Sequence, residues 1–322
     1  MATYKGIQGF AIQNVTSDPT TVGQVWYNSS NTVFKLFDGV TGNASWASGG
    51  NMGTARYGLG GAGTQTSALA FSGYNRSTPA ITNVTEEYNG SSWTGGGNMA
   101  TGRNRLGSAG TQTAALGFGG NSTTGTQNIT EEYDGSSWTN GGNLNNGRSH
   151  LGGAGTQTAA VAFAGLAGSD NARTELYNGS AWTTSGNMGT GRSQLASAGT
   201  QTAALAIGGN GPTSTVEEFN GSSWTAGGSM PSPRGMENQG GFGTQTAAIS
   251  VAGQPYTTNT NVYDGSSWTI GPNCSTPRQR MGSAGTSSGG AIFGGSQSDD
   301  GQINATEEFT GAVVATKTIT TT

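Results

Sequence analysis

A tryptophan returns at nearly constant intervals along the chain. Trp46, Trp93, Trp138, Trp182, Trp224 and Trp268 are separated by 47, 45, 44, 42 and 44 residues. Ten residues after each stands an arginine: Arg56, Arg103, Arg148, Arg192, Arg234 and Arg278. Seven residues later comes the Gly-Thr of a GTQT signature, at Gly63, Gly110, Gly155, Gly199 and, as GTSS, Gly285; in the fifth copy it comes two residues later still, at Gly243. An aromatic precedes most of the tryptophans by five: Tyr88, Tyr133, Tyr177, Phe219 and Tyr263. A period in the forties belongs to repeat architectures. Each unit is too small to bury its own apolar face and is covered by its neighbours.

The segments within one period are too short and too rich in glycine for helices. Residues 111–118, TQTAALGF, form a short apolar run bounded by glycines and suit a buried strand. A TEEY segment running into Asn-Gly or Asp-Gly predicts a strand entering a two-residue turn with both central residues at positive φ. One period therefore contains four strands: one after the arginine, one through TQTAALAF, one through TEEY and one from the tryptophan. Four short antiparallel strands make a propeller blade. The Ala/Gly-rich strand suits the crowded axis, and the Tyr and Trp suit the outer strands, where they supply packing between sheets.

Each copy also carries a glycine doublet, Gly119-Gly120, Gly208-Gly209 or Gly294-Gly295, with half-doublets at Ser72-Gly73, Ala164-Gly165 and Ala252-Gly253. The doublet, an aromatic ten to thirteen residues on and a tryptophan five later is similar to the kelch motif, over about residues 33–310. The last copy has Phe309 but no following tryptophan. The resemblance implies an all-β, kelch-like β-propeller of four-stranded antiparallel blades. Strand bookkeeping favours seven blades, the seventh built from an N-terminal hairpin and Trp46 and completed by residues 4–15 or the tail. Six blades, with the two terminal strands sharing one, is the alternative. The β-branched tail, residues 312–322, is expected to be a strand that closes the ring, so that trimming it destabilises the whole.

With 59 glycines, 9% charged and 32% hydrophobic residues, the composition taken without order would suit a disordered chain. The phased repeat overrides that inference. A net charge of −4 without a basic stripe disfavours nucleic acid as a partner. No run of 18 apolar residues is present, so no membrane span is expected, and the N-terminus lacks the apolar core of a secretory signal. Cys274 is the single cysteine, which leaves no intrachain disulfide. Two regions are expected: residues 1–22 as an N-terminal arm that packs on the propeller or docks another protein, and residues 23–322 as the propeller.

No catalytic constellation, cofactor or metal site is legible. The six arginines would form a ring able to hold an anion or acidic sugar, but their presence in every copy favours an architectural role, as for the six tryptophans. The pairs Glu86-Glu87, Glu131-Glu132, Glu217-Glu218 and Glu307-Glu308 point to opposite faces of a strand. One member is expected to meet a repeat arginine and the other to face solvent. His150, the only histidine, sits at a variable position and is expected at the surface. Copper oxidases built on kelch propellers need two histidine ligands, so that chemistry is excluded. No nucleophile-elbow motif accompanies His150. The YDGSSW segments depart from the sialidase Asp-box in their Asp-to-Gly spacing, so that activity is not carried over. The Asn-Gly-Ser triplets at Asn89, Asn178 and Asn220 match glycosylation acceptors but are accounted for as turns. The loops after the glycine doublets diverge most and are expected on one face of the ring. Their aromatic and polar residues Tyr74, Asn75, Arg76 and Tyr256 are the candidate binding residues for a sugar or protein.

Residues 23–39, GQVWYNSSNTVFKLFDG, predict a hairpin across the turn at residues 28–31. The segment resembles one found in tailed-phage fibre and virion proteins. Together with the Gly/Ser/Thr/Asn-rich repeat, this implies a non-enzymatic structural or interaction component of a virion. It would be a tail-fibre or surface protein, made in the host cytoplasm and present in many copies. Its expected partners are other virion proteins, through residues 1–22, and a host glycan or receptor. A glycan-binding propeller lectin is the alternative.

Overall fold

The computed structural model describes residues 13–15, 25–28, 33–78, 80–209, 213–231, 240–298 and 301–319, and the regular elements among them are β-strands. The first blade contains Gly60–Thr64, Ser67–Phe71, Thr85–Tyr88 and Trp93–Gly95 in antiparallel succession. Its register pairs Gly60 with Phe71, Leu69 with Glu87 and Tyr88 with Trp93. Four further sheets repeat this order. The sixth contains Gly282–Thr286, Gly289–Phe293 and Thr306–Thr310, and takes its fourth strand from Ser45–Ser48, which carries Trp46. The innermost strands follow one another around an axis, with Gly282–Thr286 beside Gly60–Thr64.

The propeller therefore has six blades, not the seven favoured from sequence. The N-terminal hairpin forms as expected, with Val25 opposite Leu36 and Asn28 opposite Val33. It supplies no blade. Val25–Asn28 pairs in parallel with Gln13–Val15, and Val33–Gly42 pairs with the tail strand Val313–Ile319. The tail thus completes this separate sheet instead of closing the ring. Two compact units result, residues 1–45 with 311–322, and residues 46–310. The sequence placed the boundary after residue 22. Most of the arm that precedes it lies outside the described residues. The stretch before Trp46 lacks the Arg and GTQT elements that join one blade to the next, which explains why it makes no blade.

Two local expectations also change. The GTQT signature is not within a strand: Thr111 ends one strand, Ala114 begins the next, and Gln112-Thr113 form the turn between them. The Asn-Gly and Asp-Gly turns are four-residue loops with positive φ only at the glycine, for example 89° at Gly90. The Asn or Asp side chain closes each loop by accepting two backbone N–H groups. Asn89 Oδ1 takes those of Ser91 and Ser92 at 3.0 and 2.9 Å, and Asp134 Oδ1 takes those of Ser136 and Ser137.

The apolar core lies between blades. Phe71 of blade one packs against Trp138 of blade two with ring centroids 4.8 Å apart, and Phe118 and Trp182 repeat the contact one blade on. Five of the repeat tryptophans send their N–H to the preceding blade. Trp138 donates to Thr85, Trp182 to Thr130, Trp224 to Thr174, Trp46 to Thr260 and Trp93 to Thr306, at 2.9–3.1 Å. The GTQT glutamines cross the same way. Gln157 donates to the carbonyls of Ala115 and Tyr133, and Gln112, Gln201 and Gln245 bond their equivalents. These polar clips run beside the aromatic contacts and satisfy donors that the packing of the sheets buries.

One clip is missing. At the threonine position of blade four stands Val216, and Trp268 Nε1 of blade five is buried without a hydrogen-bond partner. Val216→Thr supplies the absent acceptor in nearly the same volume. It is expected to stabilise the protein by about 1 kcal/mol. Thr130→Val, which orphans the Trp182 N–H, is expected to destabilise it by about 1–3 kcal/mol. Urea midpoints of the two variants should therefore move in opposite directions.

Candidate recognition face

The repeat arginines are interior. Arg56, Arg103, Arg148 and Arg278 are fully buried and Arg192 nearly so. Each is paired with the first glutamate position of its own blade: Arg56–Glu86 at 2.9 Å, Arg103–Glu131 at 3.1 Å, Arg148–Glu175 at 2.5 Å, Arg192–Glu217 at 2.8 Å and Arg278–Glu307 at 2.5 Å. Arg234 lies outside the described residues, and its blade carries Asn261 where the others carry the acid. The guanidinium also donates to carbonyls of the second strand, as Arg148 does to Ala162 at 3.3 Å. The carboxylate caps backbone N–H groups entering the blade, as Glu86 does for Gly53 at 2.6 Å. Burial lowers the pKa of Arg56 to about 10, opposed by Glu86, so the guanidinium stays charged at neutral pH. None of these five arginines is available to an external anion. All five are engaged within their own blades.

The second glutamate of each pair does not simply face solvent, as expected. It accepts from a tyrosine of the following blade. Tyr133 donates to Glu87 and Tyr177 to Glu132, both at 2.5 Å, Tyr263 to Glu218, and Tyr88 to Glu308 at 2.6 Å. Burial and these hydrogen bonds push the four phenols up to about 12. Where the glutamate is replaced, the tyrosine is too. Leu176 is followed round the ring by Phe219, which it packs against, and Val262 by Phe309. The repeated carboxylates are thus distributed between ion pairs and blade-to-blade hydrogen bonds.

Chemical variety is confined to one face. The loops after the glycine doublets form short two-stranded arms, Tyr74–Asn75 with Ala80–Ile81, Asn121–Ser122 with Gly125–Thr126, and Leu166–Ala167 with Ser169–Asp170. Their bases bridge to the residue after each repeat arginine: Tyr57 to Tyr74, Asn104 to Asn121, Ser149 to Leu166 and Gln279 to Ser296. The arms therefore flank the segments that follow the arginines, on the side where those segments approach the axis. Parts of the loops in blades four and six, including Pro212, lie outside the described residues, as does Pro79.

The candidate binding residues fall at this face. Tyr74 packs against Tyr57 with centroids 5.4 Å apart, and the Arg76 and Arg280 guanidinium groups lie 5.6 and 5.3 Å from the Tyr57 ring centroid. Asn75 accepts from Gln302 of blade six at 3.0 Å, and the Arg76 backbone N–H donates to the same glutamine at 2.7 Å. Tyr256 accepts from Gln279 at 2.9 Å, also in blade six. Tyr74, Asn75 and Arg76 are thus gathered around Tyr57. Tyr256 joins their neighbour blade. Tyr57, Gln279 and Arg280, which hold the group together, escaped the sequence. Each lies one or two residues past a repeat arginine, in a segment where the copies disagree, and that disagreement is the signal that marks them.

His150 corrects another expectation. It is buried, not at the surface. Burial, with the charges of Arg105 and Arg280 behind it, lowers its pKa to about 3, so the ring is neutral. Cys274 is a buried free thiol whose pKa burial raises to about 11, far from a reactive thiolate. Among the described residues no group of three His, Cys, Asp or Glu converges to hold a metal ion, and no helix is long and apolar enough to cross a membrane. No protein-family model matches the chain, and no curated protein matches it.

Proposed function

We propose that the chain is a non-enzymatic recognition protein. In this reading it is a structural component of a tailed-phage virion, a tail-fibre or surface protein serving host attachment or assembly. One observation carries the recognition half: the repeated charged side chains are consumed in bonds within and between blades, while the variable aromatic and polar residues collect around Tyr57 on one face. Rigid rings with variable loops at one end are a recurrent way of building a binding surface. The virion half rests on the resemblance of residues 23–39 to phage fibre segments and on the Gly/Ser/Thr/Asn-rich repeat. Residues 1–22 are the proposed contact to other virion proteins. Mass spectrometry of purified particles tests the assignment. The protein should be present in stoichiometric amounts, and its absence from the particle sinks the virion role.

A glycan as the external partner is the second reading, favoured by the half-buried Tyr74 and Tyr256 beside polar side chains. It requires saturable binding on a glycan array that Tyr74→Ala weakens.

A further inference from the structure

At the centre of the same face the backbone forms a hydrogen-bonded arc. Two residues past the repeat arginine, Arg105, His150, Gln194 and Arg280 have φ between 55° and 62°, and glycine occupies the equivalent Gly58 at 64°. The Gly58 N–H donates to the Arg280 carbonyl, Arg105 to Gly58, His150 to Arg105 and Gln194 to His150, at 2.7–2.9 Å. The residues immediately following, Leu59, Leu106, Leu151, Leu195 and Met281, line a cavity of about 60 Å³ between the innermost strands. The arc is therefore the mouth of the axial cavity. A non-glycine side chain held in the left-handed region in four blades is a local strain, borne where the blades converge.

Two of the five described positions at this mouth are arginines. The Arg105 Nε is buried without a hydrogen-bond partner, and Arg105 has no ion pair among the described residues. Arg280 lies over the Tyr57 ring. His150 is 5% exposed, and its Nε2 has no hydrogen-bond partner, although Nδ1 lies 3.1 Å from the Ser149 hydroxyl. Blades three and six are opposite in a ring of six, yet the Arg280 charge is among the causes that lower the His150 pKa. Backbone hydrogen bonds join Arg280 to Gly58, Gly58 to Arg105 and Arg105 to His150, so the three residues belong to one arc. A buried polar nitrogen without a partner is a rare feature of a folded protein and is met by water or a ligand. Here it belongs to an arc that also carries two arginines.

We propose that the axial mouth bounded by Arg105, His150 and Arg280 binds a small oxyanion group, a carboxylate or a phosphate. The Ser149 hydroxyl donates to His150 Nδ1, which leaves Nε2–H to donate to the anion, and the guanidinium groups supply charge-assisted hydrogen bonds. The collar of leucines below, and the small cavity they line, stop the ligand at the mouth, so only the anionic group of a larger molecule enters. The site deepens the recognition reading by naming a ligand class for its face, and it rests on that reading only for its biological role.

His150 is the only histidine, so its imidazole resonances in ¹⁵N-histidine-labelled full-length protein are unambiguous. At constant ionic strength, titration with inorganic phosphate and separately with acetate is expected to shift them saturably with at least one. The two arms distinguish the phosphate from the carboxylate. Arg105→Gln is expected to weaken the response about tenfold or more. Glutamine already occupies the equivalent position at Gln194, and Arg280→Gln serves as the second variant should the first not fold. Absence of a saturable shift with either anion, or an unchanged affinity in the folded variant, overturns the proposal. Because the measurement uses isolated protein, its failure is distinct from absence of the protein from the particle.

Discussion

Arg148→Met is expected to cost about 3–5 kcal/mol of stability, the loss typical of removing one partner from a buried ion pair. Arg148 is fully buried, 2.5 Å from the Glu175 carboxylate, and its other nitrogen donates to the Ala162 carbonyl. Methionine retains much of the length and apolar stem, so the change is mainly electrostatic and leaves little cavity. It strands Glu175, whose second oxygen is committed to the Asn145 backbone and side-chain amides at 2.8 and 2.7 Å. Glu175→Gln keeps an acceptor for those amides and removes the charge, so its loss should be the smaller of the two. Urea unfolding of both variants reads the difference. A methionine variant within about 1 kcal/mol of the parent would mean that desolvation cancels the attraction, as it does in some buried pairs. The fifth blade, with Asn261 in place of the acid, is a natural departure from the same pattern.

How much of this was legible in the sequence follows from where the repeated residues act. Strand order within a blade could be read because each strand carries its own phased marker: the arginine, the alternation of AALAF, the TEEY segment and the tryptophan. The blade count could not, because Trp46 signals an outer strand without saying to which blade it belongs. It joins Thr306–Thr310, far away in sequence, and the hairpin before it pairs with the tail. The fate of the glutamates was half legible. Alternation along a strand separates Glu131 from Glu132, but only the registry of neighbouring blades brings Tyr177 to Glu132. The matched replacement of Tyr by Phe where Glu becomes Leu or Val was present in the sequence as a correlation between copies, offset by one repeat. For His150 the signal misleads, because variability between copies does not mean exposure here. Near a propeller axis each blade contributes a single residue to a shared centre, and the copies can differ there while remaining buried.

The other large effect comes from a glycine four residues past each tryptophan. A Cβ on Gly142 would lie 2.0 Å from the Ser180 carbonyl oxygen of the next blade. The same approach recurs at Gly50, Gly97, Gly186 and Gly228, within 2.0–2.2 Å of Ser91, Ser136, Ser222 and Ser266. The obstructing atom is backbone in a turn pinned by Asn178, which accepts from the Ser180 and Ala181 N–H groups at 3.0 and 2.9 Å. It therefore cannot yield as a flexible side chain would, and separation of the sheets is the remaining relief. Gly142→Ala is expected to cost about 3 kcal/mol, at the upper end for overpacking, visible as a lowered urea midpoint. The sixth position explains why glycine is needed at the other five. There Pro272 stands, and the blade that follows has Thr310-Gly311-Ala312 in place of the Asn-Gly-Ser-Ser turn. Where the turn is absent, a side chain is tolerated. Pro272→Ala should accordingly change stability by no more than about 1 kcal/mol, mostly through the unfolded chain. Equal losses at Gly142 and Pro272 would show that this position serves the backbone of its own blade, and not the close approach of the next.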